Sequence, residues 1–555
     1  MLRKLSLCLL PFVLLAQTKD TGGAPAKPGA ADLGSIEGRI LNAKTGEPLR
    51  AATFRVWSVD SAARTEPEPV TTDEQGKFLM KGLAPGRYRL VALSKWSAME
   101  YGARRPGGQG PPYLIGAGQH LQDIVFRLPP ASVISGKILD EAGEPVERAL
   151  VQTESLRFVD GKKQLVTGVS VRTNDLGEFR LTTLPAGKYL VIAGYYETEI
   201  EKTDKGTIIR AGMAKKFVPT YYPGVPDQAS AAFVDLPAGG EAGGITFKLL
   251  KKPTFAVKGH VRQDVSPANR MITLSLVVSG LYLGNALARV STANVDGSGD
   301  FEFRGVIPGS YTLAATVGGG GCCQAWLHVD VFDEDVGGLG LHIGPPAKLA
   351  GKVRIKGDAA RSLAGITLTL MPRSDAFPPL RPRAKVSEDG SFQFDAVSAD
   401  KFDVEVYGLL EGFYVESIRS GDQDVLDQGL NCIGTPAPLD VLLNPSGAIL
   451  TGAVQDDKEQ QPVTGATVVV VPQEELRRGR VMYYRTAVTD QLGNFTVKGI
   501  IPGKYKVFAW DDLEPDAYMD PEFIKAVESK GVPKEVKEGT QYAVTLTAIR
   551  ASDAR

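Results

Sequence analysis

The sequence predicts an all-β chain, a tandem array of five Ig-like β-sandwich domains after a signal peptide. Three observations carry this expectation: a glycine-bearing opening strand that recurs along the chain, a Gly-x-Phe turn that follows each copy, and short alternating apolar runs separated by Gly and Pro.

The chain has 555 residues, beyond the roughly 250–300 at which single cores stop growing, so several domains are required. Gly 62 and Pro 36 exceed ordinary usage, as many turns between short strands demand. Lys+Arg 63 against Asp+Glu 64 leaves a net charge of -1. That gives no cationic surplus to displace counterions from a phosphate backbone, which excludes nucleic acid as the expected partner.

Residues 1–16 read as a signal peptide: Arg3 and Lys4 precede the mostly apolar run 5–16, which is too short to span a bilayer core needing about 20 residues. Cleavage is expected after Ala16. Cys8 follows Leu7 inside the apolar run, a context that does not fit lipidation. Residues 17–33, rich in Gly, Ala and Pro, read as a disordered leader. No later stretch has the length and apolarity of a transmembrane helix.

The opening strands are Ile36-Glu37-Gly38-Arg39-Ile40, Ile134-Ser135-Gly136-Lys137-Ile138, Val257-Lys258-Gly259-His260-Val261, Leu349-Ala350-Gly351-Lys352-Val353 and Leu450-Thr451-Gly452-Ala453-Val454. Their glycines lie about 90 to 125 residues apart, far beyond the ~20–50 of a solenoid repeat, so each unit is a whole domain. The expected units are residues 34–130, 131–252, 253–346, 347–445 and 446–551.

A turn ending in proline follows in three copies, at Pro48, Pro145 and Pro462. Next comes an acidic, glycine-containing turn before an inward aromatic: Asp73 to Phe78, Asp175 to Phe179, Gly299-Asp300-Phe301, Glu388 to Phe392 and Asp490 to Phe495. A Pro-Gly type turn then leads into an aromatic-initiated strand at Tyr88, Tyr189, Tyr311 and Tyr505, decayed to Phe402 in unit four. A last alternating strand closes each unit, as in Ile124-Val125-Phe126-Arg127-Leu128. Period-two runs at this spacing specify a two-sheet sandwich.

These motifs resemble the carboxypeptidase regulatory-like domain, a transthyretin-like sandwich, and are similar to collagen-adhesin B-type repeats. The resemblance spans nearly the whole mature chain and is weakest in unit four. It implies exported, non-enzymatic accessory, stalk or carbohydrate-binding-like modules; the fold itself specifies function poorly. Collagen-adhesin-type repeats can also form a Lys–Asn isopeptide bond assisted by a carboxylate. Unit four offers Lys352, Glu405 and Asn444, but strand alternation turns Lys352 and Glu405 toward solvent, which argues against the bond.

His120, His260, His328 and His342 have no partner at metal-ligand spacing, and no nucleophile elbow or phosphate loop is present. Gly318 to Gly321 reads as a flexible loop, because a cysteine pair rather than a capped helix follows it. Cys322, Cys323 and Cys432 are disulfide candidates in an oxidising setting, either as an adjacent ring or as a tie between units three and four.

The insertions of units one, two and five carry Trp96, Tyr101, Tyr113, Tyr195, Tyr196, Tyr221, Tyr222, Trp510 and Tyr518. As ligand-binding residues they would stack sugar rings or grip a protein; alternatively they cover the sandwich edge or pack against a neighbouring domain. A short helix is expected from Asp520-Pro521-Glu522 to Gly531. Pro129-Pro130 and Gly344-Pro345-Pro346 read as stiff linkers giving an elongated particle.

The expected function is an exported non-catalytic structural or interaction protein, a cell-envelope spacer or adhesion array, with a carbohydrate-binding accessory as the alternative. Carbohydrate or an envelope protein is the expected partner and no cofactor is expected. The expected location is the periplasm, the cell surface or the medium.

Overall fold

The structure, a computed structural model, describes residues 33–59, 67–159, 161–203, 206–213, 217–264, 272–278, 289–295, 299–317, 324–357, 361–373, 381–434 and 436–550. The expected signal peptide, nearly all of the leader, the glycine run at 318–321, Cys322 and Cys323 lie outside these residues.

In every unit the opening strand is flanked on both sides. Gly34–Asn42 pairs antiparallel with Lys77–Leu83 and parallel with the closing strand His120–Leu128. The same three-strand arrangement recurs at Ser132–Leu139, Phe255–Gln263, Ala347–Ile355 and Ala448–Gln455. A parallel first-to-last pairing needs a long crossover, and the intervening chain supplies it by folding into the opposing sheet. That sheet is built on the aromatic-initiated strand, as where Thr53–Ser58 pairs with Gly86–Leu93 and Thr467–Pro472 with Gly503–Trp510. Five separate hydrophobic clusters lie between the paired sheets, one per unit. The chain is a tandem array of β-sandwiches.

The recurring pairing of glycine with phenylalanine has one physical cause. Gly38, Gly136, Gly259, Gly351 and Gly452 sit in register opposite Phe78, Phe179, Phe301, Phe392 and Phe495. A Cβ at these glycines would lie only 1.8 to 2.6 Å from a carbonyl oxygen of the parallel closing strand. In four of the units the phenylalanine ring also occupies that space, at 2.3 to 3.0 Å. The ring thus covers a site where no side chain fits.

The aromatic-initiated strands are pinned by their own hydroxyls. Tyr88, Tyr189, Tyr311 and Tyr505 donate to the carbonyl oxygens of Ala84, Pro185, Ile307 and Ile501 at 2.7 to 2.8 Å, tying each strand to the turn before it. Burial pushes the Tyr505 hydroxyl up to about 12.

A buried threonine just before the acidic turn, which the sequence analysis did not single out, serves the same purpose. Thr72, Thr173 and Thr489 accept from the amides of Ala52, Ala149 and Ala466 and donate to Leu49, Val146 and Val463. In unit two the turn is held by Asn174, which accepts from Leu176 and Glu178, and not by the expected Asp175.

The expected helix forms over Pro521–Ala526, with the Asp520 carboxylate accepting from Glu522 and Phe523. It ends before Gly531, because a 3-10 turn at Glu528–Lys530 takes over the chain. The units are also less separate than the linkers suggest. A hairpin of unit two, Tyr196–Thr203 and Gly206–Met213, adds to the sheet of unit three by pairing with Arg289–Val295. Unit five contacts units one, two and four, so the expected end-to-end string is corrected to a chain that folds back on itself.

Candidate functional site: the joints of unit five

Polar chemistry of the described residues concentrates where unit five meets its neighbours. Arg480 leaves unit five in an insertion that lies against the outer face of the unit four strand Lys401–Tyr407. Its Nε donates to Glu405 Oε1 at 3.2 Å and its Nη2 to the Val404 carbonyl oxygen at 2.7 Å. Both side chains are 5% exposed. Burial holds the Glu405 carboxyl above the ordinary carboxylate range, more than Arg480 lowers it. The expectation that Glu405 faces solvent is therefore corrected: alternation does turn it away from the core, but unit five covers that face. Beside it, Met482 and Tyr483 of unit five belong to the unit four core, and the Tyr483 hydroxyl donates to Asp427.

A second contact joins the same two units. Asn444, fully buried, directs Nδ2 at Tyr414 Oη (2.9 Å), Glu416 Oε2 (2.6 Å) and Glu538 Oε1 of unit five (2.9 Å). Lys356 Nζ lies 3.0 Å from Glu416 and 3.5 Å from Glu538. The structure does not bring Lys352, Glu405 and Asn444 together; it places Lys356 beside Asn444 instead, since their strands run parallel and end at the same level. Glu416 holds the Lys356 ammonium above its usual range. A stabilised, half-exposed cation is the opposite of the neutral amine that would attack an amide, so the cluster reads as an ion-pair joint.

Unit five meets unit one through Arg105 Nε to Asp512 Oδ1 at 2.8 Å, Arg104 to Asp511 at 3.4 Å, and Gln491 Nε2 to the Pro112 carbonyl oxygen at 2.9 Å. Next to these contacts runs a groove of about 870 Å³ lined by Val59, Arg87, Arg89, Leu114, Thr486 and Val488 among others. Against unit two the contact is apolar: the Phe158 and Phe523 rings meet edge to face at 6.1 Å, and Gly161 leaves room for Met519.

The aromatic insertions mostly serve packing. Trp510 is 0% exposed and stacks on Phe508 at 5.4 Å, and Tyr221 is 4% exposed with its hydroxyl on Glu154. The expected ligand-stacking role is corrected at these two, because a ring without exposed face cannot receive a sugar. Tyr101 packs on Tyr113 and Phe126, Tyr195 on Phe217, Tyr222 on Phe247, and Tyr518 on Tyr484. Trp96 is half-buried, and the side chain of Tyr196 lies outside the described residues. Cys432 is buried in the unit four core, and desolvation pushes its thiol up to about 12. Each histidine meets one surface carboxylate: His120 Glu37, His260 Asp300, His328 Asp330 and His342 Asp264. Among the described residues no group of three or more His, Cys, Asp or Glu could hold a metal ion, and no helix is long and apolar enough to cross a membrane.

Compared with known families, residues 34–94 match the SpaA prealbumin-like fold domain. A comparison with curated proteins finds no match. Among solved structures, the minor pilin GBS52 of Streptococcus agalactiae is 13% identical, covering 40% of this chain and 96% of that one, with a TM-score of 0.22. The major pilin subunit BcpA of Bacillus cereus is 11% identical over 56% and 99% of the two chains, with a TM-score of 0.15. The Bacillus anthracis TIE protein is 10% identical over 75% and 73%, with a TM-score of 0.16. Such distant structural likenesses carry no argument about function. What the family match adds is that the first unit is similar to a prealbumin-like sandwich.

Proposed function

We propose that this chain is an exported, non-catalytic scaffold whose sandwiches hold fixed positions relative to one another so as to present surfaces to envelope partners. The observation that carries the reading is the buried Arg480–Glu405 pair between units four and five. Two charges removed from water cost several kcal/mol unless their geometry is held, so a contact of this kind suits a fixed joint better than a flexible linker. The contacts of unit five with units one and two act in the same direction. Its relation to the carboxypeptidase regulatory-like domain and to carbohydrate rests on sequence motifs; the burial of Trp510 and Tyr221 favours the structural reading over the carbohydrate-binding one.

Two measurements test this. Small-angle scattering of the mature chain should give one compact set of dimensions that Arg480→Ala broadens; a distribution as wide as that of freely jointed domains would overturn the scaffold. Fractionation of the producing cell should recover the chain outside the cytoplasm with residues 1–16 removed; an intact cytoplasmic chain would overturn export.

A further inference from the structure

We propose that the closing strand of unit five, Gln541–Thr547, pairs edge to edge and antiparallel with the same strand of a second copy of this chain, about a two-fold axis at Val544. The closing strand lies at the edge of its three-stranded sheet in units one, two, three and five. An open edge invites a further strand, and natural sheets blunt it. In units one, two and three the closing strand bulges against the opening strand, with positive φ at Asp123, Gly244 and Gly338. In unit four it is covered by Tyr414–Ser420. Unit five has neither device: Gln541–Thr547 runs residue for residue beside Ile449–Gln455 without a register shift. Its sequence, Gln-Tyr-Ala-Val-Thr-Leu-Thr, holds no charge, glycine or proline. The edge strand of the opposing sheet, Val532–Val536, does carry such guards in Pro533, Lys534 and Glu535.

The main-chain polarity of this strand is fixed at both ends. The Ile449 amide donates to the Thr540 carbonyl oxygen and the Ala548 amide to the Gln455 carbonyl oxygen. Bonding groups alternate along the ladder, so Tyr542, Val544 and Leu546 face the opening strand, while Gln541, Ala543, Thr545 and Thr547 turn theirs outward. These four residues are exposed, and among the described residues no strand pairs with that side. The strand is already ordered: Leu546 is buried in the unit five core and the Tyr542 hydroxyl accepts from the Lys537 amide. What selects a second copy is the match of the edge with itself. An axis at Val544 sets Gln541 against Thr547, and Ala543 against Thr545, of the second copy, so every outward group finds a partner and no like charges meet. On the inner side Val544 meets its own counterpart and Tyr542 meets Leu546. A partner chosen by charge would find none on this edge. The sheet face beside it is neutral too, with Thr451, Ala453, Asn494 and Thr496, where unit two carries the ion pairs Lys137–Glu178 and Arg180–Glu241. Each chain offers one unguarded closing edge, so the assembly closes at two. The pairing goes beyond the scaffold reading and does not depend on it, because only unit five takes part.

The test is sedimentation velocity of the mature chain over a concentration series, with thermal unfolding alongside. A reversible dimer is expected, with a Kd on the order of 10 μM, because so short an edge lies at the small end of specific interfaces. Thr545→Pro removes an outward amide, and Ala543→Lys with Thr545→Lys sets like charges opposite each other across the axis. Each should weaken pairing roughly tenfold or more and leave the unfolding temperature close to that of the parent, since the altered groups face solvent in the single chain. Ala543→Glu with Thr545→Lys sets opposite charges across the same axis and should restore the dimer. A parent that stays monomeric up to about 200 μM overturns self-pairing in favour of a strand from another protein. Dimerisation unchanged in both Thr545→Pro and the first double variant overturns the edge. A second double variant as weak as the first overturns the axis at Val544.

Discussion

Gly38 and Phe78 face each other across neighbouring antiparallel strands, and the ring tip occupies the space a Cβ on Gly38 would need, 2.8 Å away. The parallel closing strand approaches from the other side, with the Ile124 carbonyl oxygen at 2.0 Å from that position. Glycine is therefore a steric requirement here, not a flexibility device.

Substituting Gly38 or Gly452 by valine should destabilise its unit by about 3 kcal/mol or more, because backbone on one side and a packed ring on the other cannot both yield. Gly340→Ala, where nothing lies within 4 Å, should be neutral. Calorimetric unfolding of the three variants checks this; a neutral Gly452→Val would refute the steric account.

Removing the Tyr505 hydroxyl by Tyr505→Phe should cost about 0.5–1.5 kcal/mol, the net value of one buried hydrogen bond to the Ile501 carbonyl oxygen. Unit four already lives with phenylalanine at the equivalent position, Phe402, so the fold should persist. Chemical denaturation followed by tryptophan fluorescence reads this loss, as Trp510 is buried in the same unit.

Arg480→Ala and Glu405→Ala should each cost about 3–5 kcal/mol at the joint, since each leaves a buried charge or acceptor without its partner. The double variant should cost less than the two together, because the pair fails as one unit. Hydrogen exchange at Val404 and Val406 would report it; strictly additive losses would show that the two groups are not coupled.

Lowering the pH should loosen the second contact between units four and five. Donation from Asn444, then the Lys356 charge, hold the Glu538 carboxyl below its usual range. Its contribution is therefore present above the unfolded-state value and lost as pH falls through the depressed folded value. The groups facing it are Lys356, Asn444, Tyr414 and Glu416. Lower amide protection at Gly447 and Gly539 should appear in the parent as pH falls below about 4, and flatten in Glu538→Gln. An identical pH profile in the variant would remove Glu538 as the cause.

Much of the fold was legible because its signals are local. Gly-x-Phe turns and period-two runs act within a few residues and recur with every sandwich, and a Pro-Gly type turn before tyrosine recurs in all but unit four. Thr72, Thr173 and Thr489 were equally visible before their turns, yet their role depends on amides some twenty residues upstream, so repetition alone did not disclose it. The aromatic insertions were legible as insertions but not as packing. Whether Trp510 meets a ligand or is covered depends on where the later helix residues Phe523 and Ile524 come to lie.

By itself, the sequence determined that several separate cores must form and how each is enclosed, because turn stereochemistry and strand alternation are short-range and carry their own consequences. Only the tertiary structure decided that Glu405 is buried, that Lys356 rather than Lys352 meets Asn444, and that unit five returns to units one and two. Those outcomes depend on which surfaces come together after the units have folded, and the charge or polarity of a single side chain does not say what will cover it.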